Sequence, residues 1–208
     1  MTRVTIVDLG LGNLRSVARA FERAGANAVV TSDPDVVRGG ERLVVPGQGA
    51  FRDAARALEG GLGEALREAI AADRPFLGIC LGMHALFERS EEAPGLPGLG
   101  VLAGEVRRFA ESLRDPRTGA RLKVPHMGWN EIEGRHELLP SRGWFYFVHS
   151  YYCAPRDEGV VVATADYGGP FCAAVARGGV FACQFHPEKS HVEGARLVER
   201  FLARSGGA

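Results

Sequence analysis

The sequence predicts a single α/β domain over residues 1–208, with a mixed central sheet and helices on both faces. Three observations carry that expectation. Short β-rich runs alternate with helical periods through the first half, which gives a parallel sheet covered on both sides. Beyond residue 100 short strand-like runs follow one another between turn residues, which adds antiparallel pairing. No repeat, low-complexity tract or linker-like stretch divides the two halves, so both belong to one body.

The elements follow in order. RVTIVDL (3–9) is rich in β-branched residues and reads as the first strand, and NLRSVARAFERAG (13–25) has helical periodicity ending in glycine. NAVV (27–30) and RLVVP (42–46) are the second and third strands. Residues 51–72, rich in alanine, leucine and arginine, form a helical stretch broken at Gly60, Gly61 and Gly63. PFLGI (75–79) is the fourth strand and LGMHALFER (81–89) its helix. The second half offers strands at GEVRRF (104–109), KVP (123–125), WNEIE (129–133), WFYFVHSYY (144–152), VVVATAD (160–166), FCAAVARGG (171–179) and VFACQF (180–185). ESLRDPRTGAR (111–121) is polar and turn-like, an exposed loop, and HVEGARLVERFLAR (191–204) is a closing amphipathic helix.

Composition narrows the function. Twenty-five basic residues balance twenty-five acidic ones, which gives no support to a nucleic-acid or membrane-surface partner. No apolar run is long enough to span a bilayer, and MTRVTIVDLG reads as a strand rather than a signal peptide. Cys80, Cys153, Cys172 and Cys183 form no CxxC pair and no dense disulfide spacing, so a reduced, cytoplasmic setting is expected. Cys153, Cys172 and Cys183 lie in apolar strand-like stretches and read as small core residues.

Cys80 differs. It stands at the corner between a strand and a helix, in Gly78-Ile79-Cys80-Leu81-Gly82. A nucleophile on such a turn is held outward, small neighbours prevent clashes, and the helix N-terminus favours a thiolate. The N–H of Leu81 can help hold an oxyanion beside the sulfur. A buried cysteine packed between glycines would look the same, so the corner alone does not decide. A nucleophile also needs a base, and VFACQFHPEKS (180–190) places His186 at the end of another apolar strand with Glu188 two residues on. A histidine that takes a proton at one nitrogen is held at the other by a carboxylate, which also stabilises the imidazolium. GLGN (10–13) after the first strand invites a dinucleotide reading, but Arg15 occupies the third glycine position and two glycines are weak.

G-x-C-x-G with a distant H-P-E resembles the class I, triad-type glutamine amidotransferases, whose glutaminase domains release ammonia from glutamine. The resemblance sharpens to the glutaminase subunits of imidazole glycerol phosphate synthase. It does so through DLGLGNLRSV (8–17), VPGQGAF (45–51), RSEEAPGLPGLG (89–100), KVPHMGWN (123–130), FYFVHSYY (145–152) and QFHPEKS (184–190), which stand in family order over nearly the whole chain. It implies a flavodoxin-like fold, with Cys80 as nucleophile, His186 as acid/base and Glu188 as its orienter. It also implies an oxyanion segment at Gly47, Gln48 and Gly49 completed by Leu81, a carboxylate for the substrate ammonium at Glu92, and a substrate cradle at His149, Ser150 and Tyr151. Asn13, Met127, Trp129, Tyr146 and Lys189 fall on the family's docking face for its partner, the cyclase subunit of the synthase, a (β/α)8 barrel that uses the ammonia in histidine biosynthesis. Pattern alone would put Trp129 and Tyr146 in the core. The resemblance implies no metal or organic cofactor.

Two residues depart from the family pattern. Gln48 stands where relatives carry a small apolar residue, and His84 stands where glutamine contacts the substrate four residues after the nucleophile. A neutral imidazole donates at one nitrogen and accepts at the other, so His84 takes that substrate contact in the implied site. Other readings are a glutaminase serving a different synthase, such as one forming pyridoxal phosphate, a non-catalytic module that only binds a partner, and a cysteine peptidase. KVPHMGWN argues against the first, and the intact Cys80, His186 and Glu188 argue against the second.

Overall fold

A computed structural model describes residues 1–204. Five strands form the parallel half of the sheet: β1 (Arg3–Val7), β2 (Asn27–Thr31), β3 (Leu43–Gly47), β4 (Phe76–Cys80) and, from the far end of the chain, β12 (Val180–Cys183). They lie side by side as β2-β1-β3-β4-β12. Beyond β12 the sheet turns antiparallel through β11 (Pro170–Arg177), β10 (Val161–Asp166), β7 (His126–Gly134) and β8 (Arg142–His149). A branch of β5 (Phe87–Ser90), β6 (Leu102–Arg108) and β9 (Tyr151–Pro155) joins at β11 through the pair Cys172 and Cys153. The mixed sheet expected from the sequence is therefore present.

Alternation along the central strands builds two cores, because successive side chains of a strand point to opposite faces. Leu43 and Val45 of β3 face one side with Val180 and Ala182 of β12. Helices α3 (Phe51–Ala57) and α4 (Gly61–Ala71) cover that side through Phe51, Leu62 and Leu66. Val44, Leu77, Ile79 and Phe181 face the other, under α1 (Leu14–Arg23) and α6 (His191–Ala203). There Phe21 and Phe201 meet edge to face at 6.1 Å, each ring fully buried and worth roughly 2–3 kcal/mol of burial.

Several expectations need correction. The helix after Cys80 is a single turn, α5 (Leu81–His84), and Phe87, Glu88 and Arg89 belong to β5. Pairing with β6, and a Glu88 carboxylate that accepts the Gly104 N–H at 2.9 Å, outweighs the helical spacing of Met83, Leu86 and Phe87. KVP (123–125) is not a strand. Proline has no N–H for a ladder, the Val124–Pro125 bond is cis, and β7 begins at His126. The run 144–152 is two strands broken at Ser150, where the chain leaves β8 for β9. A helix not expected, α2 (Pro34–Arg38), starts on an Asp33 carboxylate that accepts the Asp35 N–H at 2.9 Å.

Candidate active site

The sheet register assembles the site. β4 lies between β3 and β12, with Gly47 beside Cys80 and Cys183 beside Ile79. Two stretches far apart in sequence, PGQG and QFHPE, therefore leave the sheet next to the same strand end. In an open α/β sheet this edge of strand carboxyl ends is where ligands bind.

Cys80 sits on the turn in a left-handed conformation, φ 53° and ψ −106°, which a residue with a Cβ adopts only when its surroundings enforce it. The flanking glycines are obligatory. A Cβ on Gly82 would lie 1.8 Å from the Val45 carbonyl oxygen, and one on Gly78 2.8 Å from that of Gly82. Gly47 meets the same turn, since a Cβ there would come within 2.9 Å of Leu81 Cβ. With only one helical turn after Cys80, little macrodipole is available to the sulfur. The charge partner comes from elsewhere.

That partner is His186. Its Nδ1–H donates to Glu188 Oε1 at 2.8 Å, and both side chains are almost fully buried. Burial works against the imidazolium, but the Cys80 sulfur and Glu188 outweigh it and raise His186 to about 9. No group meets hydrogen-bond geometry at His186 Nε2, and Glu188 Oε2 is likewise buried without a partner among the described residues. Ser190 fixes the segment, its hydroxyl donating to the His186 carbonyl at 2.7 Å and accepting the Tyr146 N–H at 3.0 Å.

In front of the sulfur lies a cavity of about 510 Å³, lined by Gln48, Gly49, Cys80, Leu81, His84, Glu92, His149, Ser150 and Tyr151. Tyr146 and Lys189 reach its rim. His186, Glu188 and Gly47 do not line it. Glu92 is positioned by accepting the Phe51 N–H at 2.8 Å. The Gly47–Gly49 segment has a neighbour in the first loop, where a Cβ on Gly12, at φ 94°, would lie 2.9 Å from the Gln48 backbone nitrogen.

Two polar arrangements were not legible in the sequence. Gln184 is fully buried, its Nε2 is 3.6 Å from the Cys80 sulfur, and its Oε1 is 2.8 Å from His84 Nε2. The chain bends at Gln184 and Phe185 just past the end of β12, so no strand alternation in the sequence announces where the Gln184 side chain goes. The second is a histidine pair whose tautomers follow from its acceptors. The Tyr151 carbonyl can only accept, so His149 Nδ1 carries the proton across 2.8 Å. His149 Nε2 then accepts from His126 Nδ1 at 3.1 Å, and the bare His126 Nε2 faces the Asn130 amide at 3.4 Å. Burial keeps both rings neutral, lowering His126 to about 4 and His149 well below the ordinary range. The pair thus ties the cavity wall to β7.

Of the other predicted residues, Met127, Trp129, Tyr146 and Lys189 gather on one outer face. Trp129 stacks on His191 at 5.2 Å and meets Tyr146 edge-on at 6.1 Å, while Lys189 lies over the Tyr146 ring at 5.9 Å. Met127 and Trp129 are 65% and 43% exposed and Tyr146 is half-buried, so pattern alone misplaces these aromatics. They lie on the outward side of the β7–β8 ribbon, whose inward side carries the buried Phe145 and Phe147. Asn13 is exposed and caps α1, its side chain accepting the Ser16 N–H at 3.2 Å.

Comparison with known proteins decides the family. The family model described as glutamine amidotransferase class-I matches residues 5–205. The chain belongs to the class-I glutamine amidotransferases. Among its relatives, the imidazole glycerol phosphate synthase subunit HisH of Methylococcus capsulatus is 53% identical over 97% of this chain and 96% of its own. The HisH subunit of Aromatoleum aromaticum is 50% identical, covering 98% and 99%. A crystal structure of a glutamine amidotransferase superposes with a TM-score of 0.74 at 26% identity, covering 96% of both chains. The amidotransferase is thus an enzyme of HisH type, built on the α/β fold of its class. No helix among its described residues is long and apolar enough to cross a membrane.

Proposed function

We propose that this amidotransferase is the glutaminase subunit of an imidazole glycerol phosphate synthase, a single glutaminase domain acting through a Cys80-His186-Glu188 triad. The observation that carries the reading is the Cys80–His186–Glu188 constellation at one strand edge, with His186 raised to about 9 beside the sulfur. Cys80 attacks the side-chain amide of glutamine. The oxyanion is held by backbone donors of Leu81 and the Gly47–Gly49 segment, and the His186 imidazolium gives its proton to the departing ammonia. Water then cleaves the thioester to glutamate, with His186 as base and Glu188 stabilising the charged ring. Glu92 takes the substrate ammonium and the 149–151 backbone cradles the rest. The ammonia passes to a cyclase partner, a (β/α)8 barrel, docked over Asn13, Met127, Trp129, Tyr146 and Lys189. That partner forms imidazole glycerol phosphate and aminoimidazole carboxamide ribotide. The names of the relatives and the exposed aromatic face beside the cavity support this assembly.

The test is Cys80→Ser in the complex with the barrel subunit. Glutamine-dependent synthesis is expected to disappear while synthesis from ammonium salt persists. Substantial glutamine turnover by the variant would overturn the assignment.

A further inference from the structure

Gln184 belongs to no predicted set of site residues, yet it is fully buried against the reacting sulfur. Its backbone is anchored, the N–H donating to the Ala173 carbonyl at 2.9 Å, so the side chain leaves a fixed point of the sheet. An amide offers two chemically opposite ends, and what matters is which end meets the sulfur. A thiolate can only accept, so it selects the NH₂ end, 3.6 Å away. The amide oxygen then points at His84 Nε2, 2.8 Å distant, and that nitrogen must carry a proton. His84 is buried and neutral, so it has one N–H to give, and this bond takes it. Were the amide turned round, its oxygen would face an anion, and His84 would have to move its proton to Nδ1 so that Nε2 could accept the NH₂.

We propose that His84 and Gln184 form a positioning pair, in which His84 locks the Gln184 amide so that its NH₂ donates to the Cys80 thiolate. Gln184 touches the nucleophile and His84 acts only through Gln184. This rests on the reading of Cys80 as nucleophile proposed above. It gives His84 work that does not require contact with glutamine. It also accounts for the exchange of residue at this position, because a glutamine at 84 has an amide N–H that can reach the same Gln184 oxygen. The thiolate is therefore held by two groups, the His186 imidazolium and the Gln184 amide, which leave the sheet from one strand end two residues apart.

The test reads the sulfur directly, without glutamine. Purified full-length chain is alkylated with iodoacetamide across pH, and the Cys80 peptide is quantified by mass. Cys153, Cys172 and Cys183 serve as silent controls, since burial raises all three thiols, Cys172 to about 12. Titratable groups around the sulfur are His186, Glu188, His84, Cys153 and Cys183, with Glu92, Tyr146, His149, Tyr151 and Lys189 on the cavity lining. Gln184→Leu replaces none of them, and it takes from His84 only a hydrogen bond that raises the pKa of a ring that burial already holds neutral. The alkylation midpoint, which Cys80 and His186 set jointly, is expected to rise by about one pH unit in Gln184→Leu. Glutaminase kcat should fall roughly tenfold or more in the complex, with KM little changed, the size of one hydrogen bond to a charged group. Gln184→Glu should raise the midpoint further by setting a carboxylate beside the thiolate. An unchanged midpoint in folded Gln184→Leu, or a rise in KM alone, would overturn the proposal. If Gln184→Leu does not fold, His84→Ala against His84→Gln decides. The alanine variant should shift the midpoint upward and the glutamine variant should restore it, and equal midpoints contradict the lock. Because alkylation needs no substrate, a positive result stands even if glutamine proves not to be the substrate.

Discussion

At the scale of single residues, the proposed chemistry depends on a strained cysteine and a histidine whose charge is set by two neighbours. Cys80 has its positive φ in a turn packed so closely that neither Gly78 nor Gly82 has room for a Cβ. His186 is raised above its ordinary value of 6.5 to about 9. Stabilisation from its charge pairing is therefore complete below about 6.5 and is lost as pH rises through about 9. Replacing Glu188 by glutamine keeps an oxygen for the Nδ1–H but removes the carboxylate charge. Glu188→Gln is expected to lower kcat by about a hundredfold or more, and to move the alkaline limb of the pH–rate profile to lower pH. A pH–rate profile identical to that of the parent would show that Glu188 only fills space. The proposed nucleophile, base and orienter could be picked out from the sequence because their residue types and spacings are chemically specific, and the fold brings Cys80 and the His186–Glu188 pair to neighbouring strand ends. The partnership of His84 with Gln184 could not be picked out, because it joins residues 100 positions apart across the sheet.

At the scale of elements, the site exists because β3, β4 and β12 end side by side. The alternation of strands and helices in the first half was legible from periodicity, and so was the break near Gly60 between α3 and α4. What failed was local reading overridden by distant partners. Phe87–Ser90 looks helical until β6 arrives beside it, and Pro125 ends a run whose neighbours otherwise suit a strand. Loop 10–13 gained meaning only from the fold, which sets Gly12 against the Gln48 amide. A methyl group there must displace the Gly47–Gly49 segment, proposed above to hold the oxyanion, and it also forces a side chain into a left-handed backbone at a cost of about 1–3 kcal/mol. Gly12→Ala is expected to reduce glutaminase kcat by roughly tenfold, a fraction of what losing one oxyanion donor costs, while lowering the melting temperature by roughly 2–12 °C. Full activity in this variant would show that the segment does not depend on its neighbour.

At the scale of the whole molecule, one sheet serves two surfaces. Its parallel half carries the strand ends that hold Cys80 and His186, and its antiparallel half carries the exposed face of Met127, Trp129 and Tyr146. Within the antiparallel half, the His126–His149 pair links the cavity wall to β7 through neutral, directional hydrogen bonds. The mixed architecture was legible because strand runs alone fill the second half, whereas the crossing of β12 back to β4 was not, since no local pattern announces which strand a terminal segment will pair with. Pattern also could not tell that Trp129 lies outward, because an aromatic in an alternating strand marks a face without saying what covers it. The central claim is that Cys80, alone of four cysteines, attacks the glutamine side chain. Its most direct test is the mass of the Cys80 peptide after incubation with a diazoketone analogue of glutamine. A single adduct on Cys80, prevented by excess glutamine and matched by loss of glutaminase activity, is the predicted result. Loss of activity with Cys80 unmodified, or an adduct that glutamine does not prevent, would contradict it.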